Sequence, residues 1–183
     1  MILCAGRNES FDFAKPIGVG LVESAICLTR YIMEEKPSFL FFIGTAGSYG
    51  KYAPLDLVYS YRAANIEQSV LLQQSYTPLV PIIDAKIEYK VSRETNIDLV
   101  TVNSSNYITT SQQSSYQLLD QNIAVENMEF FSVVSVANAF HTPCLGLFVV
   151  TNYCDSNAHQ DFITNHAKAK ELLTLHVEKN MKI

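Results

Sequence analysis

An α/β layer fold with a mostly parallel central sheet is the architecture that these 183 residues predict. Two apolar runs, FLFFIG at 39–44 and LGLFVV at 145–150, have strand length and no polar alternation, as expected of strands covered on both faces. Helical segments alternate with the strand candidates along the chain. Glycine or polar residues close each apolar run, which is where a parallel sheet presents its loops.

Taken in order, residues 2–5 read as a short buried strand that stops at Gly6, and 11–14 as a second extended piece before Pro16. From Gly20 the run LVESAICLTRYIMEEK predicts a helix with Val22, Ile26, Leu28, Ile32 and Met33 near one face, stopped at Lys36 by Pro37. FLFFIG follows as a core strand. Residues 55–61 and 99–103 read as further strands, and 111–120 as a polar helix with a serine cap. Ile123 and Val125 mark another short strand. FFSVVSVANAF reads as a buried helix because a separate strand, LGLFVV, follows the turn at 141–143. A helix from about Ala158 ends the chain. The stretch 64–96, with its glutamines and prolines, is the least legible and reads as an active-site or interface loop.

Length and the lack of any linker or repeat predict one domain over residues 1–183. The chain is 48% hydrophobic and 17% charged, a lean charge content that predicts a homo-oligomer covering part of the surface. Net charge is -5 and no Lys/Arg cluster exceeds a pair, which argues against nucleic acid as a partner. Cys4, Cys27, Cys144 and Cys154 are far apart, show no metal-ligand spacing and read as reduced thiols. MILCAGRNES has no basic lead and too few apolar residues for a signal or a membrane span, so a cytoplasmic location is expected.

Ligands of open parallel sheets bind beyond the carboxyl ends of the strands. The candidate positions are therefore 6–9, 18–20, 44–47, 104–107, 126–129 and 151–152. In FFIGTAGSYG, glycines let the backbone approach a ligand, and Thr45 adds a hydroxyl. GVG before the first long helix reads either as a phosphate cradle or as a close packing point. It lacks the third glycine of a dinucleotide fingerprint, which argues against NAD.

The ordered set IGVG, FIGTAG, NMEFF and VVTN resembles the purine nucleoside phosphorylase and nucleosidase superfamily. The resemblance implies that Glu129 accepts hydrogen bonds from ribose hydroxyls, that Met128 packs on the sugar and that Tyr107 lies against the purine. It implies a base-side role for Thr151 and Asn152, with Asn152 bonding N7 and O6, and a contact from His166 to the ribose 5′ hydroxyl. Arg7, Gly20 and Thr45 would hold phosphate. Glu126 is expected to be a solvated or salt-bridged residue at the helix start.

Two positions depart from the family pattern. Asn152 stands where most nucleosidases have an acid, and Phe42 where hexameric phosphorylases have a phosphate-binding arginine. The resemblance implies phosphorolysis of a purine nucleoside, 6-oxopurine preferred, with phosphate as co-substrate and no cofactor or metal. Hydrolysis by a purine or methylthioadenosine-type nucleosidase, or non-catalytic nucleoside binding, are the alternatives.

Overall fold

The computed structural model describes residues 1–86 and 97–180. Its strands are β1 (Ile2–Cys4), β2 (Lys15–Pro16), β3 (Leu40–Ser48), β4 (Leu57–Ala64), β5 (Ile82–Asp84), β6 (Leu99–Asn103), β7 (Ile123–Glu126) and β8 (Cys144–Tyr153). Its helices are α1 (Leu21–Glu35), α2 (Gln68–Leu71), α3 (Gln112–Asp120), α4 (Phe130–Ala139) and α5 (Ala158–Asn180).

The expected layers are present. Along β3, Leu40 and Phe42 face a core shared with Leu28 and Ile32 of α1 and with Val133 and Ala137 of α4. Phe41 and Ile43 face the opposite core, formed with Ala169, Leu173 and Val177 of α5. Strand β8 divides in the same way, so both long apolar runs are covered on two faces by helices. Phe42, Phe130 and Phe148 form an aromatic cluster with centroids 5.1 to 6.1 Å apart.

The sheet is mixed rather than mostly parallel. β1, β2, β3 and β8 run together, and β4, β6 and β7 run the other way. The two groups join antiparallel at β3–β7 and β4–β8, so β3, β8, β4, β6 and β7 close into a ring. Apolar runs reveal burial but not direction. The connection from β3 to β4 contains no helix, so the chain cannot return for a parallel partner and runs back instead.

At the β3–β7 seam only the strand tails pair, Gly47 with Glu126 and Ser48 with Val125. The carboxyl ends of two oppositely directed strands therefore meet. That geometry gathers the loops after β1, β3, β6, β7 and β8 at one place.

Other differences are local. Residues 11–14 form a turn closed by a 3.2 Å bond from Ala14 N–H to the Phe11 carbonyl, not a strand. On α1, Leu28 and Ile32 are buried, but Val22, Ile26 and Met33 are 67%, 58% and 64% exposed, so the five do not share one buried face. The stretch 64–96 contains α2 and β5, and residues 87–96 lie outside the described residues. All four cysteines are free. No helix among the described residues is long and apolar enough to cross a membrane.

Candidate active site

A cavity of about 370 Å³ opens where those strand ends converge, and Glu129 and Asn152 both line it. Around them stand Glu9, Thr45, Met128, Tyr107, Thr151 and Glu126.

The turn between β7 and α4 is organised by Asn127. Its side-chain oxygen accepts the N–H groups of Glu129 and Phe130 at 3.0 Å each, and its amide donates to the Thr45 carbonyl at 3.1 Å. These bonds satisfy the first turn of α4 and tie it to β3. Glu129 is thereby held at the helix start, 3% exposed, with Oε1 accepting the Gly20 N–H at 2.9 Å. Burial pushes its carboxyl up to about 7; the Gly20 bond opposes that shift and the nearby Glu9 charge adds to it.

Gly20 has φ 82 and ψ 175, a conformation that a side chain rarely adopts, and an added Cβ would lie 2.7 Å from the Asn106 side-chain oxygen. That conformation aims the start of α1 at the site. Three of the donors at this end are already taken: Val19 N–H by Glu23 at 2.9 Å, Gly20 by Glu129 and Leu21 by Asn106 at 2.9 Å.

The other two phosphate candidates are also paired with the chain's own acceptors. Glu9 accepts the Thr45 N–H at 3.1 Å, and the Thr45 hydroxyl donates to the same carboxylate. Arg7 bonds Glu23 at 3.3 Å, with its side chain 71% exposed.

At the end of β8, Thr151 fixes Asn152. The Thr151 hydroxyl is within 2.9 Å of the Asn152 side-chain oxygen, and the Asn152 amide donates to the Tyr153 carbonyl at 3.0 Å. Tyr107 lines the cavity from the loop after β6 and is 78% exposed.

Glu126 is not a solvated helix-start residue. It ends β7, lines the cavity, and accepts the Tyr49 hydroxyl at 2.8 Å and the Thr109 N–H at 2.9 Å. Burial pushes its carboxyl above the ordinary value, with the donors from Thr109, Tyr49 and Cys154 opposing.

His166 does not line the cavity. Its ring lies 4.8 Å from that of Phe162, and its buried Nε2 has no partner. One and two turns earlier on α5, Phe162 and His159 line the cavity instead. The neighbouring Asn165 donates to the Thr151 carbonyl at 2.8 Å and anchors α5 to β8.

Positions 6–9 follow a strand and point to the site with Arg7 as the expected anion ligand, whereas Glu9 is the residue held against Thr45. An Asn placed two residues before a helix-starting Glu was the readable signal for Asn127. Nothing local distinguishes His159 from His166 on one long helix. Among the described residues no group of His, Cys, Asp and Glu could hold a metal ion.

The family model described as the phosphorylase superfamily matches residues 10–179, and the chain belongs to that superfamily. No curated protein matches the sequence. Among solved structures, the native futalosine hydrolase of Helicobacter pylori superposes with TM-score 0.79 at 17% identity, covering 97% of this chain and 94% of that one. The 5′-methylthioadenosine/S-adenosyl homocysteine nucleosidase of the same organism gives 0.76 at 17% identity, covering 91% and 77%. The S-adenosylhomocysteine nucleosidase of Streptococcus pyogenes gives 0.73 at 16% identity, covering 87% and 73%. At such identities the likeness is one of fold.

Proposed function

We propose that this chain hydrolyses the N-glycosidic bond of purine nucleosides, using water rather than phosphate. The observation that carries the reading is Glu9, whose carboxylate takes both Thr45 donors and stands near enough to Glu129 to raise its proton affinity. A phosphate would have to displace one carboxylate and sit beside another, at a cost that no spare cation on the cavity wall offsets among the described residues, since Arg7 is exposed and bound to Glu23. Phe42, packed against Phe130 and Phe148, supplies no charge either. Water has no such penalty, and Glu9 can accept its proton. The similar solved structures named as hydrolase and nucleosidases agree with this direction.

In this reading Glu129 accepts hydrogen bonds from the ribose diol and Met128 packs on the sugar. Asn152, aligned by Thr151, bonds the purine. Water attacks C1′ as the bond to N9 breaks, its proton passes to Glu9, and the bonding pair leaves with the base. Phosphorolysis is the second reading, favoured by Asn152 standing where the 6-oxopurine phosphorylases have their amide.

The test is release of free base from inosine, guanosine, adenosine and methylthioadenosine with and without phosphate. Equal release in both buffers is expected. Release that requires phosphate would replace this reading with phosphorolysis, and tight binding without release would leave a nucleoside-binding protein.

A further inference from the structure

Cleavage leaves a negative charge on the purine, and the amide of Asn152 can bond that charge but cannot neutralise it with a proton. A second group at the same end of the cavity can. Gly47 pairs with Glu126 on one side and with Asn152 on the other. A Cβ built on Gly47 would lie 3.1 Å from the Asn152 amide nitrogen and 3.3 Å from Cγ of Glu126. Glycine here leaves room for both side chains on the cavity wall, with the Cys154 sulfur 2.7 Å from the same point.

We propose that Glu126 is the general acid that protonates the departing purine, taking the part that Asn152 cannot play. This rests on the hydrolytic reading above. As the C1′–N9 bond breaks, its electron pair passes into the purine ring, and a ring nitrogen takes the Glu126 proton. Glu9 receives the proton of the attacking water, and exchange with solvent resets both carboxyl groups.

The surroundings suit a carboxyl that holds a proton and then gives it up. Burial among β7 and its neighbours raises the proton affinity of Glu126 above the ordinary carboxylate value. When the proton leaves, the new charge falls on oxygens already facing the Tyr49 hydroxyl and the Thr109 N–H, with the Cys154 thiol as a third donor. Tyr49 is itself held by the Asn103 amide at 3.4 Å. The donors to Glu126 come from the loop after β3, the loop after β6 and the segment after β8, so the carboxylate is received on several sides.

The experiment compares E126Q with the unaltered protein on inosine and on 4-nitrophenyl β-riboside, whose leaving group departs as a stable anion without a proton. Inosine turnover should fall about 100-fold in kcat with KM little changed, the riboside far less, and N152D placed in the E126Q background should restore inosine turnover. Inosine hydrolysis kept within about threefold, or equal losses on both substrates, would overturn the assignment. Carbon-13 titration of the Glu126 carboxyl in the unaltered protein is independent of turnover and of how well E126Q folds. An ordinary carboxylate value overturns the proposal, and a proton retained near neutrality supports it. If the unaltered protein releases no base from any nucleoside, the hydrolytic reading fails separately, and that titration still decides whether Glu126 holds a proton to give.

Discussion

In the proposed reading, Glu129 sets ribose affinity against the stability of the empty protein. Its carboxyl is buried and raised from 4.5 to about 7, so between those values the folded chain keeps a proton that the unfolded chain has released. The stability this contributes is fully present below the window and lost as pH rises through it, by up to about 3 kcal/mol. E129Q removes that loss. Thermal melts should show the variant gaining over the unaltered protein from about pH 5 to about pH 8, while its kcat/KM for nucleosides falls about 100-fold. A variant with unchanged kcat/KM would remove the ribose role. For the unaltered protein, kcat/KM should rise with pH up to about 7, because the diol donates to the ionised carboxylate. E9Q should instead lower kcat by roughly 100-fold or more, with KM nearly constant, since it removes the proton acceptor and leaves the sugar contacts. Steady-state kinetics on one nucleoside separate the two variants.

At the scale of elements, β8 and α4 meet through Gly146. A Cβ there would lie 2.6 Å from the rings of both Phe130 and Phe148, inside the aromatic cluster that seats α4. G146A should cost about 1–3 kcal/mol in urea unfolding and shift α4, and with it Glu129 at its start. An unaltered midpoint would mean that the rings make room freely. The cap of α3 offers a contrast off the cavity wall. Ser111 accepts the Ser114 N–H at 3.3 Å, so S111A should lower stability by about 1 kcal/mol, with far less effect on turnover than E126Q. The bounds of β6, the α3 cap and the start of α5 were legible because they depend on local signals: a short apolar run, a serine before a helix, a break in pattern. The turn at 11–14 was not, since Phe11, Asp12, Phe13 and Ala14 look extended when the backbone bond closing them is unseen.

At the scale of the molecule, the ring from β3 through β8, β4, β6 and β7 makes every strand depend on the closure of the others. We expect far-ultraviolet and tyrosine near-ultraviolet signals to fall together in one denaturant transition; two separate transitions would show that the chain is not one cooperative unit. Residues 6–9, 44–47, 126–129 and 151–152 could be marked as a site in advance, because each follows an apolar run and carries glycine or a polar group. The chain by itself determined the layers and most elements, since burial periodicity and strand ends are local properties; that Glu129 and Asn152 share one crevice was implied by the family resemblance, and both line the cavity. Only the tertiary structure decided strand direction, the capture of Thr45 by Glu9, the placing of His159 rather than His166, and Glu126 beside Asn152. Each of these joins residues far apart in the chain, and such contacts exist only once the ring has closed.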